Sequence, residues 1–384
     1  MSKTETQART SPHARVFRHA MLREIYEQPS ALAETLEAFT DASGLRDDAF
    51  LAARHSLAGQ HSMLIAASGS SRHAGIVGKF LFEELANLPT DVEYASEYIY
   101  RTTHTPSARC VLVISQSGET ADTLEALREA RLRDAATIAI TNHATSTMAK
   151  LADCSLTTRA GIEKAVPATK SFTTQLLVLH LLALFAARAR GRLTNAAVNC
   201  RLEHLHTLPE QVTKWLPIWE SEVDRISAGL QEAESFLYLG RSIHFPIANE
   251  GALKLKESAY VQAEAYPSGE LKHGPAALLS QNVPLIALAT RDPHSPDSLF
   301  RYEKTVNLLR DMKAQGAKIL AVATEGDTTV PTLARDTLFI PACPEHIAPI
   351  FEVMPLQLLA YFTAIRRGID VDSPRNLVKA VTIE

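Results

Sequence analysis

The chain has few cysteines, no long apolar segment and no excess of charge of either sign. Its four cysteines lie far apart and in no metal-ligand spacing: Cys110, Cys154, Cys200 and Cys343. We interpret them as buried thiols in a reducing compartment. The longest apolar stretch, 176–187, is interrupted by His180 and is too short to span a bilayer, so we expect no membrane segment.

The charge balance excludes two further classes of partner. Across 384 residues the formal net charge is −4, which gives no basic surface for nucleic acid, and no run of Lys or Arg suggests a membrane surface. The N-terminal residues are polar, without the apolar segment of a secretory signal. We therefore expect a cytoplasmic protein whose partners are small molecules or copies of itself. With 46% hydrophobic residues, the chain is long enough for two domains.

Short apolar runs alternate with helical patterns along most of the chain, which is typical of a parallel sheet covered on both faces. The first set of predicted strands is 63–67, 92–94, 111–114, 136–141 and 154–158, with helices at 72–86, 119–133 and 169–190. The second set has strands at 236–239, 284–289, 318–322 and 338–341, with helices at 246–263, 299–315 and 350–366. The sequence therefore predicts a duplicated α/β fold.

This order divides the chain into five predicted segments. They are an N-terminal helical arm at 1–50, a first α/β domain at 51–194, a helical connector at 195–230, a second α/β domain at 231–367 and a C-terminal tail at 368–384. A faint repeat supports the duplication, since Gly69-x-Ser71-x-His73-x-x-Ile76 recurs as Gly240-x-Ser242-x-His244-x-x-Ile247. Four matched positions can arise by chance, so the repeated order of elements is the stronger support.

Hydroxyl residues follow two predicted strands of the first domain, where each strand gives way to a helix. The segment 115–120, SQSGET, follows one apolar run, and the segment 68–71, SGSS, follows another. Hydroxyls and the free N–H groups of a helix together bind anions, and ligands of open α/β sheets lie at the carboxyl ends of strands. Since neither GxxxxGK(S/T) nor GxGxxG is present, the expected ligand is a monophosphate rather than a nucleotide.

Either hydroxyl-rich segment alone fits a flexible turn and an ordinary helix N-cap equally well. Two such turns in one sheet favour a shared anion site. Neutral hydroxyls also suit a ligand that must be released, because they hold a phosphate without an arginine or lysine clamp.

A predicted helix of the second domain carries a charged face. Glu250, Lys254 and Glu257 are spaced i, i+4 and i+7, so all three fall on one side of the helix. Such a stripe is commonly a solvated set of salt bridges. Alternatively, a carboxylate held beside a lysine in the core of this domain moves protons between carbons, because burial and a cation act on its pKa in opposite directions. The sequence leaves both interpretations open.

Two further segments carry candidate chemistry. His273 lies between glycines in the polar stretch 269–275, where it is either structural or an acid/base group. The C-terminal residues 370–384 fit a frayed tail. Spaced apolar residues favour instead a tail that packs down and carries Lys379 into the body of the protein; these are Val371, Leu377, Val378, Val381 and Ile383.

Together these motifs resemble the isomerase half of the glutamine:fructose-6-phosphate amidotransferases, a tandem pair of sugar isomerase (SIS) domains. The resemblance covers the chain from about residue 20 to the end. It rests on segments that begin at Ser115 (SQSGETADT), Thr169 (TKSFTTQL), Glu250 (EGALKLKE), Ala263 (AEAY), Gly269 (GELKHGP), Pro355 (PLQLLAY) and Pro374 (PRNL). It implies two doubly wound, flavodoxin-like α/β domains, the first binding phosphate and the second carrying a catalytic helix and histidine loop, with an active-site tail.

The resemblance also assigns roles. Glu257 would carry the proton between C1 and C2 of the sugar, supported by Lys254, and Lys379 would form a Schiff base with the ketose. His273 of a neighbouring subunit would assist ring opening, which implies a homodimer with a shared active site. No metal or cofactor is required. The backbone around Val166 would line the sugar, and the sugar phosphate would be held by Ser70, Ser71, Ser115, Gln116, Ser117 and Thr120.

Two departures from the family bear on function. The chain reaches its first predicted strand by about residue 63, which leaves no room for the glutaminase domain of these enzymes, so we expect no glutamine hydrolysis. Ala168 stands where the family has a serine, which removes a hydroxyl near the sugar and leaves the identity of the sugar open. Ser68 and Ser70 replace a cysteine and a threonine of the family's first turn, which are mild changes.

We predict a glucosamine-6-phosphate deaminase that isomerises the sugar to fructose 6-phosphate and releases ammonia, since a domain without a glutaminase suits amino-sugar breakdown. One alternative is an aldose–ketose isomerase or deglycase that acts on another amino sugar phosphate. A second is synthesis of glucosamine 6-phosphate from free ammonia. A third is a non-catalytic phosphosugar sensor, which has no need of Glu257, His273 and Lys379.

Overall fold

The structure is a computed structural model that describes residues 15–101 and 109–382. The first 14 residues of the predicted N-terminal arm and Ile383 of the tail therefore lie outside the described residues. The strands in chain order are β1 (Thr40–Asp41), β2 (Gly44–Leu45), β3 (Ser62–Ala67), β4 (Thr90–Tyr94), β5 (Arg109–Ile114), β6 (Ala136–Thr141), β7 (Cys154–Thr157), β8 (Ser235–Gly240), β9 (Gln262–Pro267), β10 (Leu285–Ala289), β11 (Ile319–Thr324) and β12 (Asp336–Ile340).

Helices precede, separate and follow these strands. In chain order they are α1 (Ala20–Tyr26), α2 (Gln28–Phe39), α3 (Leu51–Leu57), α4 (Gly69–Ala86), α5 (Ala95–Tyr98), α6 (Ala121–Leu132), α7 (Thr147–Leu151), α8 (Lys170–Ala189), α9 (Asn195–His206), α10 (Leu208–Ser227), α11 (Phe245–Ala259), α12 (Pro296–Ala314), α13 (Val330–Leu333) and α14 (Ala348–Arg366). Short 3-10 turns occur at Ala228–Leu230, Ser242–His244, Glu270–His273 and Pro275–Leu278.

Two five-stranded parallel sheets of identical topology organise the chain. The first has the order β4-β3-β5-β6-β7 and the second β9-β8-β10-β11-β12, and every neighbouring pair is parallel. Counted within its own unit, each sheet has the doubly wound, flavodoxin-like order 2-1-3-4-5. The predicted fold class, two tandem parallel sheets flanked by helices, is confirmed.

Both faces of each sheet are covered, which explains why most strands are apolar throughout. In β3, Met63, Ile65 and Ala67 pack in the same core as α4 and α8, whereas Leu64 and Ala66 pack in the core that includes α6. The second sheet repeats this arrangement, with α11 and α14 on one side and α12 on the other. The core around α8 and α14 is continuous between the two units.

The most apolar helices are core helices. By length and composition α8 and α14 could each cross a membrane, but 89% and 94% of their most apolar windows are buried inside the protein. Each helix packs between its own sheet and the other unit, so no side of it needs a polar face. The stretch 176–187 belongs to α8, in which His180 is also buried.

The sequence prediction of a helix that continues to Ala263 is wrong. Tyr260 takes a left-handed conformation with φ of 54°, which ends α11 at Ala259. The chain then forms β9, an edge strand beside β8. Along β9 the exposed Gln262 and Glu264 alternate with the buried Ala263, which is the pattern of a half-covered edge strand rather than of a helix.

The cysteine prediction is also wrong at one position. Cys110 and Cys154 are buried and Cys343 is partly buried, but Cys200 is exposed. It lies on α9, a helix that turns only a narrow apolar side to the core. Position 200 falls on the opposite side of that helix.

A buried ion cluster lies at the carboxyl end of the second sheet. His244, in the turn after β8, lies 3.2 Å from Glu345 and 2.7 Å from Glu352. Burial alone lowers the pKa of His244, but the two carboxylates outweigh it and raise the pKa to about 10. Burial raises the pKa of Glu345, whereas His244 and Arg301 lower it to about 2. The imidazolium is therefore part of the folded core at neutral pH.

This cluster predicts a pH dependence of stability. Between pH 6.5 and 10 the folded protein keeps a proton on His244 that the unfolded side chain has lost. The stabilisation is thus complete below pH 6.5 and is lost as the pH rises towards 10, with the free energy of unfolding falling by about 1.4 kcal/mol per pH unit. Urea unfolding of wild type and His244→Gln across this range measures the difference. Equal slopes in the two proteins would contradict the assignment.

Candidate active site

The two hydroxyl-rich segments meet at the switch point of the first sheet. β3 and β5 are adjacent and parallel, and Ala67 pairs with Ile114 at their carboxyl ends. The sheet continues from β3 to β4 on one side and from β5 to β6 on the other, so the connections leave in opposite directions and a crevice opens between them. The segments 68–71 and 115–120 lie at this crevice.

The segment 115–120 is a tight turn built from its own hydroxyls. Ser115 Oγ lies 2.8 Å from Thr120 Oγ1 and accepts a hydrogen bond from the Gly118 N–H. Ser117 Oγ accepts a hydrogen bond from the backbone N–H of Glu119, with the two atoms 3.1 Å apart. Gly118 has φ of +67°, and a Cβ there would lie 2.2 Å from Ser146 Oγ, so only glycine fits. The hydroxyls are thereby fixed at the N-terminus of α6, where the helix dipole favours an anion.

The charged face of α11 is buried rather than solvated. Lys254 Nζ lies 2.5 Å from Glu257 and 3.4 Å from Glu250, and the side chains of Lys254 and Glu250 are 1% and 0% exposed. Glu257, one turn further along, is partly exposed and lines a cavity. Of the two interpretations of the stripe, a solvated set of salt bridges is therefore wrong.

Lys254 and Glu250, the two buried groups of this face, are both ionised. Burial alone lowers the pKa of Lys254, but Glu257 and Glu250 together raise it above its usual value. Burial raises the pKa of Glu250, whereas Lys254, His73 and Ser70 bring it below the usual value of a glutamate. An ammonium is thus held between two carboxylates inside the protein.

The C-terminal tail brings a second lysine to the same place. Lys379 Nζ lies 2.5 Å from Glu163 Oε2, and Glu163 is buried in the loop between β7 and α8. Glu163 also accepts hydrogen bonds from the backbone N–H of Thr169 and from the hydroxyl of Ser171. Burial raises its pKa, but Lys379 and these donors outweigh burial and lower it. The carboxylate therefore holds Lys379 at a fixed point.

The tail does pack against the body of the protein, but mainly through polar contacts. Asp372 accepts hydrogen bonds from the backbone N–H groups of Ala20 and Met21 at the start of α1. The carbonyl of Val381 accepts the N–H of Ala121 at the start of α6. The expectation of apolar packing is correct for Val371, which is fully buried, and wrong for three residues that stay exposed in the cavity wall: Leu377, Val378 and Val381.

One cavity of about 300 Å³ brings these parts together. Glu163 and Ala168 also line it. The predicted site residues in its wall are Ser70, Ser71, Ser115, Gln116, Ser117, Thr120, Val166, Lys254, Glu257 and Lys379. His273 is not among them, because it is exposed at the end of the 3-10 turn Glu270–His273, away from this cavity.

Two other cavities are larger, at about 570 and 680 Å³. The first lies around Arg54 and Arg188 at the opposite end of the first sheet, and the second lies between the units around His180 and His346. Neither contains the hydroxyl turns or the α11 carboxylates, so size does not identify the site here. Within the described ranges, no group of three or more His, Cys, Asp or Glu side chains is placed to hold a metal ion.

Sequence reasoning missed two groups that the structure adds to the site. Glu163 pairs with a lysine 216 residues away, and His73 pairs with Glu250 of the other unit at 2.8 Å. His73 stood out only as part of the internal repeat. Nothing in the local sequence of Glu163 distinguishes it from an ordinary loop glutamate, so no signal could have identified it.

Comparison with known proteins agrees with this architecture. The SIS domain family model matches residues 56–185 and 229–367. The chain is 42% identical over 377 residues to the isomerizing glutamine–fructose-6-phosphate aminotransferase of Thermus thermophilus, and 41% identical over 372 residues to that of Methanosarcina acetivorans. Each alignment covers 96% of this chain and 59% of the relative, so the chain spans about three fifths of the length of these relatives.

Two solved structures extend the comparison. The C-terminal domain of glucosamine-fructose-6-phosphate aminotransferase from Francisella tularensis has a TM-score of 0.87 and 36% identity, and covers 93% of this chain and 99% of its own. Glucosamine-6-phosphate deaminase from Thermotoga maritima has a TM-score of 0.71 and 26% identity, and covers 94% of this chain and 99% of its own. The chain therefore belongs to the SIS domain family, with two SIS domains in tandem.

Proposed function

We propose that this protein is a phosphosugar isomerase that acts as a glucosamine-6-phosphate deaminase, forming fructose 6-phosphate and ammonia. The observation that carries the proposal is the cavity of about 300 Å³, in which a hydroxyl turn suited to phosphate lies in the same wall as the Lys254–Glu257 pair and Lys379. Isomerisation of an open-chain sugar needs an anchored end and a base beside adjacent carbons. We keep the cytoplasmic location as a prediction.

The proposed chemistry begins with proton transfer. Glu257 removes the C2 proton of the open-chain amino sugar and returns it to C1, while one amine proton passes to the C1 oxygen. The product is a C1 alcohol with an imine at C2. Lys254 Nζ lies 2.5 Å from Glu257 Oε2 and is the group that tunes this base.

Lys379 then releases the nitrogen. Its amine adds to C2, ammonia leaves, and water hydrolyses the lysine imine to the ketone. Glu163, 2.5 Å from Lys379 Nζ, is placed to accept the proton that the amine must lose before it attacks. The same steps in reverse make glucosamine 6-phosphate from free ammonia. That synthesis is the second candidate, because the curated relatives are named as aminotransferases.

A second copy of the chain completes the proposed site. His273 lies outside the cavity of its own chain and is exposed, so in a homodimer it is free to enter the cavity of a partner. There it would assist ring opening as an acid/base group.

We predict that the protein releases ammonia and fructose 6-phosphate in equal amounts from glucosamine 6-phosphate. Glu257→Gln keeps the size of the side chain but removes the base, so we expect kcat to fall by about 100-fold or more. Glu303→Gln, on the exposed side of α12, is the matched control and should retain wild-type activity. Absence of turnover with any hexosamine phosphate would contradict the deaminase, and full activity of Glu257→Gln would contradict the role of the base.

We further predict that borohydride traps fructose 6-phosphate on Lys379, because reduction of an imine leaves a stable secondary amine. Peptide mass mapping locates the label. Lys379→Arg preserves a cation beside Glu163 but forms no imine, so it should remain unlabelled, whereas Lys304→Arg, an exposed control, should label like wild type. Labelling elsewhere in wild type would show that another lysine forms the imine.

Mixing two inactive variants tests the shared site. His273→Ala and Lys379→Arg should each lose activity alone. Random reassembly of the two chains should restore about a quarter of wild-type activity, since half of the dimers are mixed and each mixed dimer has one intact site. No recovery in verified mixed dimers would place His273 outside the partner's site.

A further inference from the structure

Glu250 joins the two domains at the edge of the candidate site. It lies on α11 of the second unit, and α11 packs against α4 of the first. Glu250 Oε1 accepts a hydrogen bond from Ser70 Oγ at 2.8 Å, and its Oε2 lies 2.8 Å from His73 Nδ1. Since the carboxylate is fully buried, these partners and Lys254 must satisfy its charge.

Lys254 links this carboxylate to the proposed base. Its Nζ lies 3.4 Å from Glu250 Oε1 and 2.5 Å from Glu257 Oε2. The ammonium is thus shared unequally, with the shorter contact to Glu257. Any loss of donors from Glu250 strengthens its attraction for Lys254 and weakens the hold of Lys254 on Glu257.

Ser70 is the member of this network that touches ligand space. It lines the cavity beside Ser71, yet its hydroxyl has a single proton, which it donates to Glu250 here. An anion bound in the cavity is a strong acceptor and competes for that proton. When Ser70 turns to the ligand, Glu250 Oε1 keeps only Lys254 among these partners.

We propose that Ser70 signals occupation of the phosphate cradle to Glu257, through Glu250 and Lys254. While Ser70 donates its proton to Glu250, Lys254 is held on Glu257 and restrains it. When the phosphate binds, the Ser70 hydroxyl donates its hydrogen bond to the phosphate instead of to Glu250. Lys254 then shifts towards Glu250, and Glu257 becomes free to take the sugar proton. The inference rests on the proposed function, in which Glu257 is the base, and it makes Ser70 and Glu250 positioning residues.

Other charged groups also face this network. His73 approaches from α4, Glu163 from the loop between β7 and α8, and Lys379 from the C-terminal tail. The charge of Glu163 raises the pKa of Lys254 as well, in addition to Glu257 and Glu250 on α11. Since these groups are present in every variant below, comparison between variants isolates the contribution of Ser70.

Unphosphorylated glucosamine with added phosphite, an oxyanion that can fill the cradle separately, tests the proposal. In wild type, phosphite should raise the turnover of glucosamine at least about tenfold. Ser70→Ala removes the proton permanently, so its turnover of glucosamine should already be raised without phosphite and should not respond further. Ser70→Thr keeps the hydroxyl and should restore the response. Ser258→Ala, on the same helix as Glu250 but with its hydroxyl directed to Met21 Sδ, is the matched control and should behave as wild type.

A pH profile gives a second readout. With glucosamine 6-phosphate, the acid limb of kcat/KM reports the free enzyme. Because Ser70→Ala weakens the hold of Lys254 on Glu257, this limb should move to higher pH, whereas Ser71→Ala should raise KM without moving it. If Ser70→Ala only raises KM, with an unchanged limb and low turnover of glucosamine, the relay is wrong although the deaminase stands. If wild type does not turn over glucosamine 6-phosphate, the proposed function itself fails.

Discussion

The candidate site depends on one buried ammonium, that of Lys254. Placing such a charge in a protein core costs several kcal/mol unless its partners compensate for the lost water. Here the partners are Glu250 and Glu257 on the same helix, and Glu250 in turn needs Ser70 and His73 from the other domain. The two domains are therefore held together by the hydrogen bonds that the buried Glu250 needs, as well as by their common apolar core. The register of α4 on α11 that satisfies Glu250 also sets the distance between the hydroxyl cradle and the proposed base.

Most of the fold follows from the sequence because buried parallel strands leave a strong local signal. β5 contains the apolar run 110–114, which Ser115 follows, and a run this short and rich in β-branched residues is typical of a buried strand. The prediction missed β9 because one side of an edge strand is open to solvent, so its residues do not form a continuous apolar run. Its alternation is short, and its alanine, glutamine and glutamate residues are also good helix formers, so the break at the left-handed Tyr260 was not apparent. A tyrosine carries no sequence signal for such a conformation.

The site was predictable where its chemistry is local. The hydroxyl turn at 115–120 and the i, i+4, i+7 face of α11 are each written in a single segment. Pairings across the chain were not predictable, since Glu163 finds Lys379 and His73 finds Glu250 only after the two sheets and the tail are in place. The tail shows the same limit. Its apolar residues suggested the packing, but Asp372 and backbone hydrogen bonds hold it, and its exposed apolar side chains line the cavity instead.

The two halves of the molecule use one topology in different ways. In each, a histidine follows the first strand of the sheet, four residues after a glycine. His244 keeps its carboxylates, Glu345 and Glu352, within its own unit, in a buried ion cluster at the carboxyl end of the second sheet. His73 takes the carboxylate of Glu250 from the other unit and leaves the end of the first sheet open to a ligand. A tandem pair built this way has one hydroxyl cradle and one charged helix facing it. Neither unit alone contains both the anchor and the base that the proposed reaction needs.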